Sequence, residues 1–506
     1  MDIDLTKNKI DNNLTNNSAN NLKNNSTDNS INILRGYKKF HLIGIGGAGM
    51  SAIAFILKGL GAEVKGSDLK RSRYTNLLVN ENIEVYIGHD DSNVGNADAV
   101  IYSTAINDNN VELVQAKKRG IPVFTRGEVL SWILNNKKGI AVTGTHGKTT
   151  TTSMIALILN GLKLDPIVLI GGELNELGSN ARYGNGEFLV AEACESDGTF
   201  LSYKPYVSVI TNIEDDHLDY WKTLKNLKEN FLSFLKNTKN DGFIVINGDD
   251  KDYIGTKSLE NLKKEINRKI ITFGLESYNT VSAKDIKLFN FSSSYKLLIK
   301  DDLKNDIENF ENDKLLEADV KLNVPGMHNV LNSLAAFSVI YGLGLDIKEA
   351  VKLLEFFTGA KRRFEKRGEK KGALIFDDYA HHPTEVKATL QTALMEKKNG
   401  RIITVFQPHR YTRLLNLHEK FSLCFDNCDI LVVSDIFGSD EKPIPGVTGK
   451  LLIDSLIENG FKNRLVYIPK LLDIKDFLLE NIKENDIVLI MGAGDITQVS
   501  EELLKS

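Results

Sequence analysis

The sequence predicts an α/β protein of three domains, and three observations carry that expectation. At 506 residues the chain is too long for one hydrophobic core, taking about 150 residues per domain. Apolar runs of strand length alternate with helical stretches from Tyr37 onward, the pattern of parallel sheets with crossover helices. Two of those strands, one ending before Gly44 and one before Gly144, run into glycine-rich turns that open helices, which is how anion sites are built on a backbone.

The composition, 42% hydrophobic and 26% charged with a formal charge of -4, gives no global attraction to nucleic acid or anionic membrane, so any anion site must be local. Cys194, Cys424 and Cys428 are too few for a disulfide scaffold, and the last two lack C-x-x-C spacing. They read as reduced thiols, which fits the cytoplasm. Apolar runs such as Ile140 to Val142 and Ile487 to Met491 fall far short of the roughly 20 residues that a membrane span needs. The first thirty residues are dominated by Asn and have little to bury, so a disordered tail is expected over 1–36.

From Lys38, KKFHLIGIGGAGMSAIAFILKGLGAEVKGSD reads as strand, glycine turn, helix and second strand. Further strands are expected at Ala99 to Ser103 and Val123 to Thr125. A strand over Lys138 to Thr143 opens a second unit, with strands at Phe188 to Ala193, Val207 to Asn212 and Gly242 to Asn247. A strand-rich excursion spans Val281 to Val324, and a helix covers Asn329 to Tyr341. The basic stretch TGAKRRFEKRG reads as a connector. Strands near Ala373 to Asp377, Arg401 to Gln407, Ile430 to Val433 and Asp486 to Met491 make the third unit. The expected domains are 37–137, 138–357 and 358–506.

The two glycine turns differ in what they specify. Gly44-Ile45-Gly46-Gly47-Ala48-Gly49 can face a pyrophosphate, and Asp68 ends the next strand where a dinucleotide enzyme places its ribose-binding acid. These residues name only a diphosphate; a nicotinamide or flavin site and a purely structural turn are the alternatives. Gly144-Thr145-His146-Gly147-Lys148-Thr149 carries the Gly-Lys-Thr of a nucleoside triphosphate loop, although Val142 replaces the usual first glycine. Lys148 would reach the β and γ phosphates and Thr149 would ligate Mg²⁺. Two anion turns on two domains argue against a simple dehydrogenase and for a reaction between ATP and another phosphorylated molecule.

Bringing a carboxylate to the γ-phosphate sets like charges together, so hard oxygen ligands are sought at strand ends. Two acid clusters qualify: Glu192, Glu195 and Asp197, and Glu214, Asp215 and Asp216 with His217. Singly, such acids are more often helix caps or solvated loop residues. In the third unit, Asp378 and the pair His381, His382 follow one strand, and His409, Arg410 and Arg413 follow another. The arginines would clamp a carboxylate or phosphate and a histidine would orient a substrate or relay a proton. Arg362 and Arg363 are most simply solvated charges unless domain closure brings them to the phosphates.

In this order, GIGGAGMSAIA, GTHGKTTTT, EACESDGTFL, TNIEDDHLDY, PGMHNVLNSLAA, RRFE, DDYAHHPTEV, FQPHRYTR and MGAGDIT resemble the Mur ligases, amide ligases of peptidoglycan synthesis. The resemblance runs from about Lys38 to the end. It implies an N-terminal Rossmann-like domain for a uridine diphosphate, a central P-loop ATPase-type domain and a C-terminal Rossmann-like domain that closes over both. It implies ATP and Mg²⁺ as cofactors, with UDP-N-acetylmuramate and L-alanine as substrates and no nucleic acid or membrane partner. Monomer and homodimer both stay open. Gly44, Gly46, Gly47, Ala48 and Gly49 would face the diphosphate, with Ser67 and Asp68 near the nucleoside. Gly144, Thr145, His146, Gly147, Lys148, Thr149 and Thr150 would hold ATP, with His328, Asn329 and Asn332 on its adenine side and Arg363 and Asp378 joining on closure. Thr149, Glu192 and His217 would serve the metal, Glu192 fitting better than Glu195. His381, His409, Arg410 and Arg413 would bind the substrate carboxylates, and Lys148, Glu192, His217, His381 and Arg410 would carry the catalysis. Cys194, where many members have Asp, and Ala380, where Gly is frequent, depart from the pattern. A related ligase adding another amino acid or a recycled tripeptide, and a non-catalytic UDP-sugar sensor, are the rival expectations.

Overall fold

The computed structural model describes residues 36–171, 180–196, 198–215, 218–256, 258–289, 291–300, 316–439 and 441–506. The Asn-rich segment expected to be disordered lies outside the described residues.

Three sheets follow one another along the chain. The first has strands β1 (Lys39–Ile43), β2 (Glu63–Asp68), β3 (Glu84–Ile87), β4 (Ala99–Tyr102) and β5 (Val123–Thr125), all parallel in the order β3-β2-β1-β4-β5. The order reverses direction between β1 and β4, and the Gly44–Gly49 turn leaves β1 at that switch point, where α/β sheets bind ligands.

The central sheet contains β6 (Lys138–Thr143), β7 (Ile167–Leu169), β8 (Ala181–Arg182), β9 (Phe188–Glu192), β10 (Val207–Ile210), β11 (Phe243–Asn247), β12 (Lys269–Gly274), β13 (Val281–Phe289), β14 (Ser292–Ile299) and β15 (Leu316–Leu322). Its order is β15-β14-β13-β12-β11-β10-β6-β9-β7-β8. β6 lies between β10 and β9 and is parallel to both, so the nucleotide turn after β6 is flanked by the carboxyl ends of two strands that lead into acid clusters. β13, β14 and β15 pair antiparallel, which bears out the expected strand-rich excursion. The helices Lys148–Gly161 and Met327–Gly342 pack together against this sheet through Met154, Ile158, Leu334 and Phe337, all fully buried.

The third sheet has β16 (Glu365–Lys370), β17 (Ala373–Asp378), β18 (Ile402–Phe406), β19 (Ile430–Val433), β20 (Arg464–Tyr467) and β21 (Ile487–Met491) in the order β16-β17-β21-β18-β19-β20. Two of these strands depart from the expected pattern. The second half of the expected basic connector is β16, an antiparallel edge strand on β17; its alternating charges mask a strand because an edge tolerates solvated side chains on both faces. β20 was not expected, since its four residues at the opposite edge are too few to set up a pattern.

A buried polar network fixes the first sheet. Glu112 and His41 are wholly inaccessible. One oxygen of Glu112 accepts from Ser67 Oγ (2.5 Å) and lies 3.2 Å from His41 Nε2 and 3.3 Å from His89 Nδ1. The other accepts from Asn93 Nδ2 (2.6 Å) and Asp90 N (3.3 Å). Burial would raise the Glu112 pKa, but the donors from His41, Ser67 and Asn93 outweigh it and bring it down to about 2. Glu112→Ala would strand these donors in a dry site, so denaturant unfolding should report a loss of about 3 kcal/mol. An unchanged midpoint would mean the network contributes nothing.

Candidate active site between the central and C-terminal sheets

After Thr143 the chain turns through Gly144, Thr145, His146 and Gly147 into the helix Lys148–Gly161. Gly144 (φ +125°) and Gly147 (φ +82°) occupy backbone regions that L side chains avoid, and a Cβ on either would lie 2.3 Å from Thr211 Oγ1 or Asn332 Oδ1. The loop is fixed by the end of β10. Thr145 N donates to Asn212 O (3.0 Å), His146 N to Asn212 Oδ1 (2.9 Å), and Asn212 Nδ2 back to His146 O (3.0 Å). The first helical N–H groups, without intrahelical acceptors, point into the loop as an anion cradle. Lys148 Nζ donates to Gly144 O (2.6 Å), Thr145 O (3.1 Å) and Glu195 Oε1 (2.9 Å). Burial alone would lower its pKa, and the Glu195 carboxylate more than reverses that, so Lys148 is a fixed cation.

The two acids of the first cluster therefore divide their roles. Glu195 pairs with Lys148, whereas Glu192, at the end of β9, accepts from Gly171 N (2.8 Å) and from the Thr149 hydroxyl. Burial raises the Glu192 pKa, opposed by Lys148 and Arg363. A partly buried carboxylate beside a threonine hydroxyl is a hard-oxygen donor set that fits Mg²⁺. His217, the third expected ligand, lies outside the described residues, as do Asp197 and Asp216.

A cavity of about 380 Å³ opens beside this turn. His146, Gly147, Thr149 and Thr150 line it with His328, Asn329 and Asn332 on the central side. Arg363, Phe364, Asp378 and the start of the helix Pro383–Glu396 line it on the C-terminal side. Protein atoms crowding the exposed His328 ring and the Arg363 charge bring its pKa down to about 4, so it presents a neutral ring at pH 7. Asp378 accepts from Phe364 N and Ala380 N, each at 2.7 Å, and thereby holds the Arg362–Phe364 turn. Burial pushes its pKa up to about 6, against Arg363. The guanidinium of Arg363 lies 5.3 Å from the Tyr379 ring centroid and 3.6 Å from Glu385, so it is not a solvated connector charge.

His381, His409, Arg410 and Arg413 meet at the carboxyl ends of β17 and β18. The rings of His381 and His409 are 5.6 Å apart, and His409 stacks on Phe437. Arg413 Nη1 donates to His409 Nδ1 (2.9 Å), which leaves His409 with its proton on Nε2. Arg410 sits at φ +66° and its N–H donates to Phe437 O (2.9 Å), a strained position that caps the next helix.

In the first sheet, Gly44 N and Ile45 N donate to Ser67 O, Gly46 N donates to Asp68 Oδ2 (2.8 Å), and the helix begins at Ala48. Asp68 therefore shapes the turn directly. The Ser67 side chain is wholly buried and bonded to Glu112, so its backbone, not its hydroxyl, borders the turn. Asn180, from beside β8, donates to Ala48 O (2.6 Å) and ties this turn to the central sheet.

Family models cover nearly all of the described chain: one for the Mur ligase family, catalytic domain, over residues 39–138, the Mur ligase middle domain over 142–340, and the Mur ligase, glutamate ligase domain over 362–494. The chain belongs to the Mur ligase family. Among curated relatives, the UDP-N-acetylmuramate--L-alanine ligase of Pelotomaculum thermopropionicum is 43% identical over 92% of this chain and 96% of its own length. The protein of the same name from Desulforamulus reducens is also 43% identical, over 92% and 97%. Among solved structures, the UDP-N-acetylmuramate-alanine ligase of Thermotoga maritima matches with a TM-score of 0.74 and 30% identity, covering 92% of this chain and 98% of that one. A murein peptide ligase from Psychrobacter arcticus, 23% identical with a TM-score of 0.67, shares the fold.

The Mur ligase motifs did not disclose Glu385. Its Oε1 lies 3.1 Å from His146 Nδ1, and its Oε2 accepts from His381 N (3.0 Å) and His382 N (3.2 Å). It joins the nucleotide turn to the C-terminal unit, with Thr384 donating to Glu214 (2.6 Å) alongside. The signal was present in HHPTE: His382 is an N-cap, Pro383 follows at the first helical position and Glu385 closes a capping box. Burial would lower the His146 pKa, but Glu214 and Glu385 raise it from 6.5 to about 9, so the ring is an imidazolium at neutral pH.

A group whose pKa is raised on folding stabilises fully below its unfolded value and stops doing so as pH climbs through the folded one. The thermal midpoint should therefore fall between pH 7 and pH 10, and fall less in Glu385→Gln. Equal falls in both proteins would contradict the contact. At pH 7.5 the same variant should raise the KM for ATP at least ~10-fold, a loss of about 1.4 kcal/mol.

Proposed function

We propose that the chain is an ATP-dependent ligase that joins L-alanine to the lactyl carboxylate of UDP-N-acetylmuramate through an acyl phosphate, releasing ADP and phosphate, in peptidoglycan precursor synthesis. The observation that carries the reading is the arrangement of the nucleotide turn: a triphosphate cradle with a fixed Lys148 cation opens onto a cavity whose far wall belongs to the unit bearing His381, His409, Arg410 and Arg413. The names of the full-length relatives supply the substrates.

In this reading Lys148 and the amides of Thr149 and Thr150 hold the β and γ phosphates, and the neutral His328 with Asn329 and Asn332 borders the adenine. Thr149, Glu192 and His217 would hold Mg²⁺, which supplies charge neutralisation at the phosphates. Arg363 adds a second fixed cation, so the lactyl carboxylate can approach phosphorus in line. The amine of alanine then attacks the acyl carbon and phosphate leaves; Arg410, Arg413 and the His381–His409 pair orient the two carboxylates. The Gly44–Gly49 turn anchors the uridine diphosphate. Among the described residues no helix is long and apolar enough to cross a membrane, and we place the reaction in the cytoplasm, by a monomer or homodimer.

With ATP, Mg²⁺ and UDP-N-acetylmuramate present, and amino acids added singly, phosphate release should be fastest with L-alanine. Release that prefers D-glutamate or a preformed tripeptide would move the chain to another branch of the family. Lys148→Ala should slow ADP formation at least ~10²-fold while circular dichroism is unchanged; near-normal ADP formation would contradict the assignment.

A further inference from the structure

Beside the oxygen-rich set at Thr149 and Glu192 lies a second donor cluster of different chemistry. Among the described residues, His146, Glu214 and His382 are the group whose ligand atoms all lie within 4.8 Å of one another. His146 Nε2 is 3.5 Å from Glu214 Oε2, and the rings of His146 and His382 are 5.1 Å apart. His382 is 2% exposed. The three come from separate segments: the nucleotide turn, the loop after β10 and the start of the helix Pro383–Glu396.

We propose that His146, Glu214 and His382 form a transition-metal site of the zinc class, distinct from the Mg²⁺ set, that pins the nucleotide turn to the C-terminal unit. Two imidazoles and one carboxylate are the donors of a three-residue zinc site with a fourth position open to solvent. Mg²⁺ prefers oxygen and keeps its waters, so it does not compete for this set. The outer shell is in place as well. Glu385 Oε1 sits against His146 Nδ1 and takes its proton in a hydrogen bond, which leaves Nε2 as the ligand atom. Thr384 donates to the same Glu214 oxygen that faces His146, fixing that carboxylate.

The charge balance is favourable. Glu214 and Glu385 face the cluster as two anions, while Arg363 approaches the same Glu385 oxygen as His146, at 3.6 Å, and His381 approaches the other, at 3.3 Å. The His146 imidazolium now carries one proton towards each carboxylate, on Nδ1 towards Glu385 and on Nε2 towards Glu214. Binding would release that proton from Nε2 to solvent, form the metal–nitrogen and metal–oxygen bonds, and displace all but one of the ion's waters. The dication thus replaces the proton between His146 Nε2 and Glu214, and it ties two units with coordinate bonds where a hydrogen bond stood.

The test reads metal binding directly, so it does not depend on the ligase reading. Chelator-treated, nucleotide-free full-length protein is titrated with Co²⁺ at pH 7.5. One equivalent should give the intense visible bands of four-coordinate Co²⁺, which Zn²⁺ abolishes and excess Mg²⁺ does not. His382→Ala and Glu214→Gln should each weaken binding at least ~10-fold, whereas Glu192→Gln should leave it in place. Pale six-coordinate bands, equal affinity in His382→Ala, or loss in Glu192→Gln alone would overturn the proposal. Should either cluster variant fail to fold, X-ray absorption on the Zn²⁺-loaded wild type decides. Two imidazoles in a four-coordinate shell support the site; a shell of oxygens only, or one containing sulfur, overturns it.

Discussion

The structure depends on one partly buried contact, the Glu385 carboxylate against His146 of the nucleotide turn. One partner comes from the central sheet and the other from the C-terminal helix that starts at Pro383, so neither unit alone encloses the cavity between them. Both groups are largely withdrawn from water, where an unpaired charge is expensive and a paired one is retained. Burial works against each charged form, yet His381, His146 and Arg363 keep Glu385 well below the usual carboxylate range, and Glu214 with Glu385 keeps His146 well above the imidazole range. Arg363 and the backbone of His381 and His382 are organised around the same carboxylate.

A second division of labour follows from charge. ATP, a carboxylate substrate and the acid cluster after β9 all bring negative charge to one place, and the protein offsets it with cations that cannot move away. Lys148 is tied by two loop carbonyls and Glu195, and Arg363 is set over Tyr379 by the turn that Asp378 holds. Preorganised charge of this kind costs no reorganisation when negative charge shifts during reaction, which is why such groups are built in rather than recruited.

Much of this was legible in the chain. The strands β5, β6 and β19 match their expected bounds because each is an apolar run closed by polar or glycine residues. Both glycine turns were legible because positive φ leaves only glycine at Gly44, and positive φ with close approach does so at Gly144 and Gly147. Less legible were features that depend on distant partners. Glu112 looks like one more helical acid until the fold brings His41, Ser67 and Asn93 to it, and Arg363 looks solvated until Tyr379 and Glu385 surround it. Glu385 was hidden differently: its spacing to His382 announces a helix start, a local role that conceals the contact 239 residues away. The charged edge strand β16 escaped because an edge has no buried face to impose a period.

His146 and Glu385 act as a pair across the cavity. A double-mutant cycle on nucleotide affinity, using His146→Gln, Glu385→Gln and the double variant, measures this directly. Strongly non-additive losses are expected, with a coupling of about 1–3 kcal/mol. Losses that simply add would show that the two side chains act independently, and would contradict the pairing.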